Sequence, residues 1–107
     1  MVINQSILSS NECFKITMQS DNNLVIYKEY TGKPIWASKT EHSGATEARM
    51  QTDGNFVLYD SRNRAKWDAG TWGHPGSFLM LQDDGNLVIY SQSGKALWAS
   101  GTVTSCR

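Results

Sequence analysis

The sequence predicts an all-β fold, with small antiparallel sheets turned towards one axis. Three observations predict it. The decapeptides MQSDNNLVIY (18–27), MQTDGNFVLY (50–59) and LQDDGNLVIY (81–90) repeat one pattern along the chain. Within them apolar and polar residues alternate, which is the two-residue period of a half-buried strand, and no segment carries a 3.6-residue period. Asp-Asn-Asn or Asp-Gly-Asn breaks the alternation at the same place each time, and Asp-Gly is among the strongest short-range hairpin signals.

The repeat extends beyond the decapeptides. Trp36, Trp67 and Trp98 follow them at a spacing of 31 residues, each opening a short tail that ends in Thr: WASKT, WDAGT and WASGT. Gln19, Gln51 and Gln82 are spaced 32 and 31. The chain therefore reads as one domain, residues 1–107, made of repeats at about 1–40, 41–72 and 73–107 with no linker between them. A length of 107 residues agrees with the prior of roughly 100–200 residues per domain.

Within a unit, the stretch before the Gln supplies a first strand and the Val-x-Tyr segment a second. Asp53-Gly54-Asn55 between them is expected to be a three-residue loop, with Thr52 opposite Phe56 and Gln51 opposite Val57. That register gathers Met50, Thr52, Phe56 and Leu58 on one face, and Gln51, Val57 and Tyr59 on the other. The same bookkeeping groups Met18, Leu24 and Ile26, and then Leu81, Leu87 and Ile89. A two-residue loop would mix the faces, and a buried face is what fixes register. The turns Tyr30–Lys33, Ser61–Arg64 and Gln92–Lys95 lead to a third strand carrying the Trp, and the connection between units supplies a fourth. One unit cannot bury its apolar face alone, but three can around a common axis. The three Trp are expected to fill that axis, with stacking on a ligand as the alternative.

Composition excludes several classes. Ten Lys+Arg against ten Asp+Glu leave no cationic excess for nucleic acid. No apolar run approaches the ~18 residues of a membrane span. MVINQSILSS lacks the basic start and long apolar core of a signal peptide, which leaves a secreted or cytoplasmic location open. No Ser/His/Asp grouping recurs. A glycosidase needs two carboxylates about 5–10 Å apart, and Asp83 and Asp84, as neighbours in an extended segment, point to opposite faces. An enzyme is therefore not expected. DDGN resembles part of an EF-hand loop, but the closing Glu is missing, so neither a metal nor another cofactor is expected.

The face turned away from the core is polar and repeats. It presents Gln19, Asp21, Asn23, Val25 and Tyr27; Gln51, Asp53, Asn55, Val57 and Tyr59; and Gln82, Asp84, Asn86, Val88 and Tyr90. Asp and Asn beside a Gly often serve only the turn, but Gln and Tyr have no such role. Amides and carboxylates can each bond adjacent hydroxyls of a pyranose, while Val contacts its C–H surface. These sets point to a neutral, polyhydroxylated ligand.

Q-x-D-x-N-x-V-x-Y, complete three times within roughly residues 6–103, resembles the sugar-site motif of the monocot mannose-binding lectins, the bulb-type or snowdrop family. The resemblance implies a type II β-prism, three four-stranded antiparallel sheets around a pseudo-threefold axis. It also implies roles. Asp and Asn bond O2 of α-mannose, Gln bonds O3, Tyr bonds O4, and Val packs on the ring carbons. The implied function is calcium-independent, multivalent recognition of terminal α-mannose on high-mannose glycans or glycoproteins, in defence or agglutination. The other reading is a structural or protein-interaction prism with silent sugar sites. Family resemblance also raises a homodimer formed by exchange of C-terminal strands.

Two departures stand out. Plant members usually place a Cys between the Asp and Asn of one motif, where this chain has Asn22, Gly54 or Gly85. The leader also looks shorter, which leaves one strand of the first sheet truncated or borrowed from the C-terminus. Because the terminal strands are neighbours in such prisms, Cys13 and Cys106 are a possible disulfide; free thiols and an interchain bridge are the alternatives. Asn4-Gln5-Ser6 is a glycosylation sequon. His42 and His74 are expected in solvated loops. Trp72 is either a packing residue or an exposed aromatic.

Overall fold

The computed structural model describes residues 1–107. It contains ten strands: β1 (Ser6–Leu8), β2 (Phe14–Met18), β3 (Leu24–Lys28), β4 (Pro34–Ala37), β5 (Ala45–Met50), β6 (Phe56–Asp60), β7 (Ala65–Asp68), β8 (Phe78–Leu81), β9 (Leu87–Tyr90) and β10 (Ala96–Ala99). They form three antiparallel sheets, ordered β1-β2-β3-β4, β5-β6-β7 and β10-β9-β8.

The expectation of four strands in every sheet is corrected to four, three and three. The first sheet is the complete one, with its edge supplied by Ser6–Leu8 rather than by the C-terminus. The second sheet has only a rudiment of a fourth strand: Val2 bridges Glu47, and Met1 and Ala48 exchange backbone bonds of 2.9 and 2.8 Å. In the third sheet the outer edge of β8 is unpaired, because the chain beyond β10 runs to Cys13 instead. There Cys106 is disulfide-bonded to Cys13, with Cα atoms 5.2 Å apart.

The expected hairpin register is also corrected, by two residues. Met50 opposes Phe56 and Arg49 opposes Val57, so the loop is the five residues Gln51–Asn55. The Gln51 N–H closes it on the Asn55 carbonyl at 2.9 Å. The equivalent pairs are Met18–Leu24 and Leu81–Leu87. Strand residues alternate with period two, so a slip of two leaves every side chain on its face. The faces therefore stand, except that Thr52 lies exposed in the turn instead of on the core face.

The core gathers Ile16, Met18, Leu24, Ile26, Phe56, Leu58, Leu87 and Ile89, all at most 2% exposed. Each fully buried aliphatic side chain is worth about 1.5–3 kcal/mol against exposure. Trp36, Trp67 and Trp98 pair across the ladder with Ile26, Leu58 and Ile89, so they share the core face. Their rings meet edge to face at 5.7, 5.7 and 5.8 Å, a nearly equilateral triangle. Such contacts add about 0.5–1.5 kcal/mol each beyond area burial. The spacing of 31 thus marks one packing position used three times. Trp72, outside the repeat, is 69% exposed.

Asp60, buried at the end of β6, holds the turn into β7. Its carboxylate accepts from the Arg62 and Arg64 backbone N–H groups, each at 2.9 Å, and from Arg64 Nε at 2.8 Å. The Arg64 backbone bond first, then the Arg64 side chain and the Arg62 backbone, pull its pKa from 3.8 to about 2, against a desolvation that raises it. A carboxylate depressed on folding contributes stability that is present above its unfolded value and lost as pH falls through its folded one. The window therefore runs from about pH 4 down to about 2. Urea midpoints across that window should fall less steeply in Asp60→Asn than in the parent. Parallel slopes would contradict this role.

Candidate functional site

Each sheet carries one copy of the polar set on the loop and middle strand of its hairpin. The loop is held the same way three times. Asp21, Asp53 and Asp84 each accept, through Oδ1, the backbone N–H of the Asn two residues on, at 3.0, 2.9 and 3.0 Å. This local bond is the one short acidic side chains make in turns. The central loop residue takes positive φ in every copy: 78° at Asn22, 93° at Gly54 and 92° at Gly85. Asn22 does more than tolerate that backbone, since its Nδ2 donates to the Ala45 carbonyl at 2.8 Å. At Gly54 no side chain fits, because a Cβ would stand 2.2 Å from the His74 carbonyl oxygen.

The Asn side chains fasten the loop to the tail after the Trp. Asn23 Oδ1 accepts from Ser38 Oγ and the Thr40 N–H, and Asn55 Oδ1 from the Thr71 N–H at 3.0 Å. Asn86 Oδ1 accepts from Ser100 Oγ and from the Gly101 and Thr102 N–H groups. The Thr closing each tail donates its hydroxyl back to the loop. Thr40 reaches the Asn22 carbonyl at 2.7 Å, Thr71 that of Gly54 at 2.6 Å, and Thr102 that of Gly85 at 2.7 Å. Further along, the backbone N–H groups of His42, His74 and Thr104 donate to the carbonyls of Asp21, Asp53 and Asp84. The imidazoles themselves are exposed. The sequence shows the tail-closing Thr only as a recurrence at the end of WASKT, WDAGT and WASGT, and that recurrence is the signal that marks it.

The Gln and Tyr of each copy are joined. Gln19 Nε2 donates to the Tyr27 hydroxyl, Gln51 Nε2 to that of Tyr59, and Gln82 Nε2 to that of Tyr90, the last at 2.7 Å. The tyrosine keeps its own hydrogen to give elsewhere. Val25, Val57 and Val88 lie beneath at 4, 3 and 3% exposure. They form the nearly covered apolar floor of each patch.

All fifteen residues are thus gathered as three patches of five. Asp Oδ2, Gln Oε1 and the Tyr hydroxyl hydrogen make no bond within the chain in any patch, nor does Nδ2 of Asn23 or Asn86. No buried side-chain polar atom lacks a partner, so these free groups face solvent. Each patch offers two acceptors and a hydroxyl donor, joined in the first and third by an unspent amide, over an apolar floor. Open depressions adjoin the patches on the incoming-strand side, beside Gln19 and Asp21, beside Gln51 and Asp53, and beside Gln82.

Asp83 and Asp84 do not work as a pair. The Asp83 carboxylate is spent on the Asn11 N–H at 2.9 Å and on Ser10 Oγ at 2.8 Å, while Asp84 holds its own turn. The Asn11 backbone bond first, then the Ser10 hydroxyl, hold the Asp83 carboxyl below the usual carboxylate range. The chain contains no group of three or more His, Cys, Asp or Glu placed to hold a metal ion.

Three antiparallel sheets packed on a triangle of Trp, each presenting a polar patch on its central hairpin, define a β-prism. No protein-family model matches the chain. It is 38% identical to a monomeric monocot mannose-binding lectin from Gastrodia elata, with a TM-score of 0.83 over 97% of this chain and 92% of that one. With the Japanese Marasmius oreades lectin the identity is 30% and the TM-score 0.86, over 96% and 85% of the two chains. The B-type lectin plumieribetin of Scorpaena plumieri is 41% identical over 66 residues, 62% of this chain. The match spans little more than half of that curated relative's length, 56%. The chain belongs to the monocot mannose-binding, bulb-type lectin family.

Proposed function

We propose that this protein is a calcium-independent lectin that binds terminal α-mannose on high-mannose glycans through all three patches. The observation that carries the reading is the recurrence of one free polar set, held by one set of bonds, in three patches of a chain whose relatives include mannose-specific lectins. Asp and Asn take O2, Gln takes O3, Tyr takes O4, and Val floors the ring. In this reading the sheets stand about a pseudo-threefold axis through the Trp triangle, and the patches point in three directions. A surface dense in mannose ends is then cross-linked, which suits agglutination and defence. The ligand is a neutral sugar held by hydrogen bonds, so neither catalysis nor a cationic surface enters the reading.

A glycan array read with and without EDTA tests this. High-mannose glycans should bind, and EDTA should change nothing. Binding lost to EDTA and restored by calcium would replace the reading with a metal-dependent one. An array with no bound glycan would favour a prism whose sugar sites are silent.

A further inference from the structure

The three patches share five residues but not their walls. On adjoining strands, directly opposed residues share a face, with Cβ atoms about 4.5–5.5 Å apart. Val25 is flanked by Thr17 and Ala37, and Val88 by Met80 and Ala99. Val57 is flanked by Arg49 and Asp68. A carboxylate therefore stands on the face of the second patch where the other two carry a methyl group. Asp68 Oδ2 accepts from Asn55 Nδ2 at 3.1 Å, so one hydrogen of that amide is spent, while Asn23 and Asn86 keep both. No cationic side chain forms an ion pair with Asp68 within 4.0 Å. The Arg49 guanidinium is engaged by Glu47 at 2.6 Å and Asn63 at 2.9 Å, and lies 4.6 Å over the Tyr59 ring.

We propose that Asp68 makes the second patch selective for a hexose bearing an ammonium group at C2, a 2-amino-2-deoxymannose, over neutral mannose. The inference rests on the mannose reading above, which puts the C2 substituent against Asn55 and hence beside Asp68. Asp53 and Asp68 are both bonded to Asn55, one through its backbone N–H and one through its amide. In this proposal the free oxygens of these two acceptor-only groups both reach that substituent. A hydroxyl has one hydrogen to give, so it satisfies one carboxylate. An ammonium has three hydrogens and a charge, so it satisfies both, and charge-assisted bonds are the stronger kind. Solvent screening at this exposed position keeps the gain modest, roughly three- to tenfold.

The test titrates isotope-labelled protein, in slightly acidic buffer, with methyl α-mannoside and with its 2-amino analogue. The side-chain amide signals of Asn23, Asn55 and Asn86 report each patch separately. At Asn55 the amino sugar should bind roughly three- to tenfold tighter than the mannoside. At Asn23 and Asn86 it should have no advantage. Asp68→Ala should erase the preference at Asn55, and Ala37→Asp should install it at Asn23. Mannoside binding at Asn23 and Asn86 with no amino-sugar preference at Asn55, or a preference that survives Asp68→Ala, overturns this inference alone. Failure of both sugars at all three amides overturns it together with the mannose reading.

Discussion

Agglutination of mannan-coated beads should collapse when Asp21, Asp53 and Asp84 are all replaced by Ala. Each of these carboxylates holds its loop through one oxygen, at 3.0, 2.9 and 3.0 Å, and keeps the other free for a ligand. If each patch touches one sugar ring over an almost covered apolar floor, its Kd should be on the order of millimolar. Three patches on one body raise the effective affinity for a dense surface by about 10²–10⁴. Monosaccharide binding should therefore fall roughly in proportion to the patches removed, while agglutination falls far more steeply between single, double and triple variants. Asp→Asn at the same positions keeps an oxygen for the turn and separates loss of the ligand contact from loss of the loop. Loss of all sugar binding in any single variant would mean that only one patch works.

The second large effect is on stability. Replacing Cys13 and Cys106 by Ser, a pair separated by 93 residues, should cost about 4–5 kcal/mol in the chain-entropy account. For a domain of this size that is on the order of 20 °C in Tm. The bridge closes nearly the whole chain, and it also seats the tail, whose Thr104 N–H holds the Asp84 carbonyl at 2.9 Å and whose Arg107 lies 4.7 Å over the Tyr30 ring. The third patch should accordingly loosen before the first two, visible as faster amide exchange around Asp84 than around Asp21 or Asp53. A Tm within a few degrees of the parent would contradict the account.

What was legible in the sequence follows from what repeats and alternates. The partition of Met50, Phe56 and Leu58 from Val57 and Tyr59 was readable because burial imposes period two. The loop length was not, since a register two residues away keeps the same partition; the bond from Gln51 N–H to the Asn55 carbonyl decides it. The first edge strand was hidden because Ser6, Ile7 and Leu8 are all exposed, so no alternation marks them. All fifteen patch residues were readable, because a motif of five at fixed spacing is a local signal. Thr40, Thr71 and Thr102 brace the loops across 17 or 18 residues, and spacing alone does not reveal which carbonyl a hydroxyl meets. Asp68 is visible in WDAGT as a departure from WASKT and WASGT, but its bond to Asn55 exists only once β6 and β7 pair.

Titration calorimetry with methyl α-mannoside and methyl α-glucoside, in EDTA, tests the central claim most directly. The two sugars differ only at C2, where the hydroxyl is axial in mannose. With Asp and Asn both reaching that hydroxyl in the first and third patches, the glucoside leaves them unpaired, at a cost of roughly 1–3 kcal/mol. The predicted result is millimolar mannoside binding at more than one site per chain, with the glucoside about fivefold or more weaker. Equal affinity for the two sugars would contradict it.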